Sequence, residues 1–219
     1  MPNPKSSSQK KYASQKRSKS SQTWLKEHFD DPYVKQSWKD GYRSRAAYKL
    51  LELQEKYKII KPNMQVVDLG AAPGSWSQLA REWVGKKGKI IALDILPINE
   101  LEGVFFLQGD FTDPKVEQTL EAYLNDGQVD VVMSDMAPNM SGQKTVDQLK
   151  GMYLAEISFA FAEKNLKPGG DFLIKIFHGA GFDEFLKQCR TAYHQVFIKK
   201  PDASRDRSPE CYLLARGKK

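Results

Sequence analysis

Short, nearly continuous apolar runs alternate with helix-period segments from residue 65 onward, and this alternation limits the chain to an α/β layout more tightly than any other property. Gln65–Leu69, Lys89–Asp94, Gly103–Leu107, Val129–Ser134 and Phe172–Phe177 have strand length and few polar residues, as strands covered on both faces require. Helical patterns fall between them. One follows the Gly/Ala/Pro segment at 70–74 and runs through Trp83, and one starts at Asp113-Pro114, with Asp as cap and Pro in the first turn. A long one spans Val146 to Leu166 before Lys167-Pro168-Gly169-Gly170 stops it, and another spans Gly181 to Tyr193. Gln195–Lys199 and Cys211–Ala215 read as two more strands joined by a polar loop. Upstream, Ser44 precedes the helical pattern Ala47, Leu50, Leu51, Gln54, Tyr57 and Ile60, which ends near Lys61-Pro62. Right-handed crossovers turn such a series into a doubly wound, parallel sheet with helices on both faces, and ligands then bind beyond the carboxyl ends of the strands.

At 219 residues the chain suits one catalytic domain, over residues 23–219. Residues 1–22 are rich in Ser, Lys and Gln and poor in large apolar side chains, the composition of a disordered basic tail. The net charge of +7 favours an acidic partner, nucleic acid first, but Lys5, Lys10, Lys11, Lys16, Arg17 and Lys19 supply nearly all of it. Contacts to RNA phosphates from the folded part must therefore come from local clusters, Lys35 to Arg45 and Lys199 to Arg207. The aromatics from Trp24 to Tyr42 suit a cap packed on the domain, and equally a base-stacking surface. No run is long and apolar enough to span a membrane and no signal segment is visible, so the expectation is a cytoplasmic protein. Cys189, Cys211 and the three histidines show no metal-ligand spacing, so no metal site is expected.

Four expected strands finish at a carboxylate: Asp68, Asp94, Asp110 and Asp135. Like charges gathered along one sheet edge are unfavourable unless a cationic or hydroxyl-rich ligand offsets them. The first loop, Asp68-Leu-Gly-Ala-Ala-Pro-Gly-Ser-Trp76, lacks both the G-x-G-x-x-G spacing and a P-loop lysine, which argues against a dinucleotide oxidoreductase and a nucleotide triphosphatase. A ligand with a ribose, an adenine and a positive sulfonium fits the carboxylates, and S-adenosyl-L-methionine has all three. In that reading Gly70 and Gly74 allow close approach, Asp94 takes the ribose hydroxyls, Asp110 accepts from the adenine amine, and Trp76 closes over the methionine end.

Ser44-Arg-Ala-Ala-Tyr-Lys49, Val67-Asp-Leu-Gly-Ala-Ala-Pro-Gly-Ser-Trp-Ser77, Leu107-Gln-Gly-Asp-Phe111 and Met133-Ser-Asp-Met-Ala-Pro-Asn-Met-Ser-Gly142 together resemble the FtsJ/RrmJ (RlmE-type) family of 23S rRNA ribose 2′-O-methyltransferases, from about Trp24 to Arg216. The resemblance implies a Rossmann-like S-adenosylmethionine-dependent fold, a seven-stranded sheet whose last strand is antiparallel, and a uridine ribose of the large ribosomal subunit as substrate. A monomer acting on assembled 50S subunits is implied too. It further implies a Lys-Asp-Lys-Glu tetrad at Lys49, Asp135, Lys175 and Glu210.

Lys175 has an independent argument, because it interrupts an apolar strand near its carboxyl end, where a lysine is disfavoured unless paired or functional. The expected roles are proton acceptor for Lys175, orientation by Asp135 and Glu210, and support of the developing alkoxide by Lys49, with both lysines acting only as charges as the alternative. Pro209 directly before Glu210 leaves the positioning of that glutamate open. Competing readings are a tRNA or mRNA-cap 2′-O-methyltransferase and a non-catalytic ribosome-assembly RNA-binding protein.

Overall fold

A computed structural model describes residues 30–124, 128–205 and 208–219. The expectations placed on the tail at 1–22, on Trp24 and Phe29 and on Arg207 lie outside the described residues.

Seven strands form one sheet: β1 (Gln65–Leu69), β2 (Lys89–Asp94), β3 (Val104–Gln108), β4 (Val129–Ser134), β5 (Leu166–Phe177), β6 (Tyr193–Lys199) and β7 (Glu210–Lys218). Their spatial order is β3-β2-β1-β4-β5-β7-β6. The first five pair in parallel, while β7 runs antiparallel to both β5 and β6. The expected α/β class, strand number and antiparallel final strand are all present. The winding reverses between β1 and β4, which makes the carboxyl ends of these two neighbours the place where a crevice opens.

Six helices flank the sheet among the described residues: α1 (Pro32–Asp40), α2 (Ala46–Tyr57), α3 (Ser75–Val84), α4 (Pro114–Ala122), α5 (Lys144–Asn165) and α6 (Phe182–Ala192). Local chemistry sets several starts. Asp31 accepts from Tyr33 N at 2.9 Å with Pro32 in the first turn of α1, and Asp113 accepts from Lys115 N at 2.9 Å with Pro114 opening α4. Leu120, Phe161, Phe172, Phe185 and Leu213 belong to the core on the α4/α5/α6 side of the sheet, and Leu50, Leu53, Leu79, Leu173 and Leu214 to the core on the α2/α3 side.

Several boundaries differ from the sequence reading by a few residues, and two of them have a clear local cause. Helix α2 stops at Tyr57, where Lys58 turns left-handed at φ 50°, although buried Ile60 continues the apolar pattern. The Gln54 side chain meets both backbone groups of Ile60, so the chain leaves the helix without stranding them. Strand β5 begins at Leu166, and a register shift opposite Val129 and Val131 absorbs the Pro168-Gly169-Gly170 segment expected to be a plain stop.

Candidate active site

Lys49 follows the buried Ala47 on α2 and precedes fully buried Leu50, so the helix seating fixes where its stem starts. Its Nζ lies 2.7 Å from Glu210 Oε1 at the first residue of β7. On the neighbouring strand, Lys175 Nζ lies 3.1 Å from Asp135 Oδ1 and donates to the Asp135 backbone carbonyl at 2.5 Å. These two lysine–carboxylate pairs are joined by Tyr212, which stands opposite Lys175 in the β5–β7 register. The Tyr212 hydroxyl donates to Asp135 Oδ1 at 2.6 Å, and Lys49 Nζ sits 5.5 Å from the centre of its ring. The four residues expected to be catalytic are thus brought together from α2, β5, β7 and the residue after β4.

Burial works against ionisation of Asp135, but Lys175 and Lys49, with the Tyr212 hydroxyl, outweigh it and hold the carboxyl below its ordinary range. The Tyr212 hydroxyl is driven the other way, well up, first by burial and then by the Asp135 and Glu210 carboxylates. It stays a hydrogen-bond donor to Asp135 across the working pH range.

Beside these pairs a cavity of about 600 Å³ opens at the switch between β1 and β4. Gly70, Asp94, Asp110 and Asp135 line it, together with Phe111, Tyr153 and the segment Met136 to Asn139. Asp94 Oδ2 accepts from Ala72 N and Oδ1 from Leu96 N, both at 2.8 Å, which fixes the carboxylate while leaving lone pairs for a ligand. Asp110 Oδ1 accepts from Thr112 N and Oγ1. A Cβ on Gly70, whose φ is 79°, would lie 2.6 Å from Met136 Cγ and 2.8 Å from Met136 N, so only glycine lets the β1 loop lie this close to the segment after β4.

Three residues expected at the cofactor are held by contacts of their own beside this cavity. Asp68 is wholly buried, one residue short of the end of β1, and accepts from Ser77 Oγ at 2.6 Å; its Oδ1 has no partner, and burial pushes the carboxyl up to about 7. Trp76 is core: its indole N–H donates to Ala46 O at 2.9 Å and its ring lies 5.7 Å from that of Tyr212. Gly74 starts α3 at φ 103° with the Arg43 side chain against it. None of the three lines the cavity.

Residues 42–218 match the FtsJ-like methyltransferase family. The chain belongs to that family. It is 58% identical over 205 residues to the ribosomal RNA large subunit methyltransferase E of Acinetobacter baumannii, covering 94% of this chain and 95% of the other. With the protein of the same name from Pseudomonas aeruginosa the identity is 57% over 201 residues, covering 92% and 97%. A ribosomal RNA methyltransferase from Plasmodium falciparum superposes with a TM-score of 0.72 at 30% identity, covering 81% of this chain and 98% of that one. The fold is shared with Aeropyrum pernix fibrillarin, solved with S-adenosyl-L-methionine bound, at a TM-score of 0.55 and 16% identity over 78% of this chain and 73% of that one.

An FtsJ-like methyltransferase takes its methyl group from S-adenosylmethionine, and the cavity suits that donor. Three carboxylates, Asp94, Asp110 and Asp135, face it against one lysine, Lys150, a balance that favours a cationic ligand over a pyrophosphate.

Tyr212 is the residue that sequence reasoning missed. A signal existed: Glu210 and Tyr212 are two apart on a strand and so share a face. Two of the arginines expected at RNA phosphates, Arg43 and Arg45, also bond within the fold. Arg43 donates to the carbonyls of Pro73, Asn99 and Glu100, and Arg45 pairs with Asp31 at 2.6 Å and donates to Ala203 O. Lys199 pairs with Glu52, whereas Lys35 and Lys39 remain exposed.

Proposed function

We propose that this FtsJ-like methyltransferase transfers a methyl group from S-adenosylmethionine to the 2′-hydroxyl of a uridine ribose in large-subunit ribosomal RNA, acting as a cytoplasmic monomer on the assembled 50S subunit. The observation that carries the reading is the paired arrangement of Lys49 with Glu210 and Lys175 with Asp135, bridged by Tyr212, at the rim of a carboxylate-lined cavity. The names borne by its relatives in Acinetobacter and Pseudomonas support the ribosomal target.

When bound, the donor supplies an electrophilic methyl on sulfur. Asp94 and Asp110 hold its ribose and adenine, and Gly70 admits it close to the backbone. A ribose hydroxyl is a weak nucleophile and needs a base at its proton. Lys175 Nζ, steered by Asp135 Oδ1, takes up that proton after giving one of its own to solvent, while Tyr212 keeps the carboxylate from turning away. Lys49 Nζ, oriented by Glu210, faces the oxygen as negative charge develops on it. Residues near the rim with low exposure, such as Lys175 at 8%, give these charges a drier setting than bulk water.

The test uses purified protein, labelled S-adenosylmethionine and large subunits from a strain lacking this activity. Label should appear on a single ribose 2′-oxygen and vanish with Lys175→Ala. Methylation confined to a base, or a Lys175→Ala protein that remains active at neutral pH, would refute the assignment.

A further inference from the structure

A second cavity, of about 250 Å³, lies next to the tetrad and shares no lining residue with the larger one. It sits on the same framework. Pro209 immediately precedes Glu210, Phe177 is two residues beyond Lys175 and opposite Glu210 in the sheet, and Met140 lies on the segment leaving Asp135. Asp135 to Asn139 face the donor cavity and Met140 faces the smaller one, so successive residues of one loop serve two compartments.

The walls are chemically divided. Met140, Phe177 and Pro209 offer an alkyl, an aromatic and a pyrrolidine surface, and Met140 is 68% exposed and so open to a ligand. Gln148 and Lys144 supply an amide with both donor and acceptor and an ammonium. Asp147 is buried and accepts from Ser141 N, Ser141 Oγ and Gly142 N, which braces the loop carrying Met140. Glycines bring the parts together: a Cβ on Gly151 would meet the Phe177 ring at 3.2 Å, and one on Gly179 would meet Gln148 Nε2 at 2.4 Å.

Lys49 and Lys175 are recessed, at 12% and 8% side-chain exposure, so a ribose oxygen reaches them most readily from a nucleotide splayed out of the RNA stack, whose freed base then needs a flat apolar surface and a polar edge. We infer that the smaller cavity receives the base of the target nucleotide, a pyrimidine, stacked against Phe177 and Met140 with its hydrogen-bonding edge toward Gln148 and Lys144. At under half the volume of the donor cavity it suits a single ring. The ammonium favours uracil, whose edge carries carbonyl oxygens, over cytosine, whose exocyclic amine would meet a second donor. The inference rests on the ribose-methylation reading and adds how the substrate is selected.

Gln148→Glu and Phe177→Ala test it with deletion-strain large subunits as substrate. Both variants should keep the wild-type affinity for S-adenosylmethionine by calorimetry and lose on the order of tenfold in kcat/KM for subunits, mainly through KM. Gln148 is half-buried on the helix surface, and the swap preserves its shape while giving up only a long, exposed donation to the His178 carbonyl at 3.4 Å, so this variant should stay folded with a Tm close to wild type. As a direct readout, subunits carrying 4-thiouridine should crosslink under long-wave ultraviolet light to the peptide spanning Met140 to Gln148 or to Phe177. Wild-type KM in both variants, or a crosslink confined to other segments, would overturn the base-pocket assignment while ribose methylation by the wild type stands. A wild-type protein that methylates no ribose would overturn both readings together.

Discussion

Replacing Asp68 by asparagine probes the one carboxylate of the strand-end set that the fold has taken into its core. In the folded protein its pKa rises from the usual 3.8 to about 7, mainly by burial, with Asp135 and Asp94 adding repulsion and Ser77 opposing it. The unfolded chain ionises this group near pH 4 and the folded chain only near 7, so stability is full below about pH 4, falls as pH rises between the two, and levels off above. Three units at about 1.4 kcal/mol each give a total near 4 kcal/mol, of which about 2.7 falls between pH 5 and pH 7. Asparagine has nearly the same shape, accepts from Ser77 through its amide oxygen, and carries no charge at any pH. The Tm of Asp68→Asn relative to wild type should therefore climb by roughly 5–10 °C between pH 5 and pH 8, at ~2–4 °C per kcal/mol for a chain of this size. Thermal unfolding followed by circular dichroism at both pH values measures it. A Tm difference independent of pH, or one that shrinks toward pH 8, would refute the reasoning, because it would mean that Asp68 is solvated or paired in the folded state.

Lys175→Met should cost about 3–5 kcal/mol by leaving the Asp135 charge without its partner, and adding Asp135→Asn should restore much of that stability without restoring methylation; urea unfolding of the two variants checks the coupling. Gly70→Ala should weaken S-adenosylmethionine binding on the order of tenfold or more by calorimetry, since the new methyl group meets both the side chain and the backbone of Met136. Arg43→Ala should loosen the loops at Pro73 and at 99–100 and so raise the donor Kd, while leaving the salt dependence of RNA binding as it was. Loss of RNA affinity with an unchanged donor Kd would instead return Arg43 to the phosphate interface.

The alternation of strands and helices was legible because each element's signal is local: apolar runs, an Asp-Pro helix start, a glycine-rich stop. Asp94, Asp110 and Asp135 could be placed at one edge because strand ends in a doubly wound sheet share that edge by topology. Lys175 announced itself as a cation in an apolar strand. The helix end at Tyr57 was harder to read, because buried Ile60 continues the hydrophobic period after the backbone has already turned at Lys58. Tyr212 carried no local sign of its bond to Asp135, a residue 77 positions away.

The linear order of residues thus determined the fold class and the edge at which chemistry occurs, both of which follow from period, spacing and the shared direction of parallel strands, while the four residues of the tetrad were picked out by the family motifs that carry them, with Lys175 also marked by its place in an apolar strand. Tertiary structure alone decided what each charge is used for. It buried Asp68 and Trp76, spent Arg43 and Arg45 on carbonyls and Asp31, and set Tyr212 between the two lysine–carboxylate pairs. The reason is physical: the state of an ionisable or hydrogen-bonding group depends on desolvation and on partners a few ångströms away, and those partners come from segments far apart along the chain.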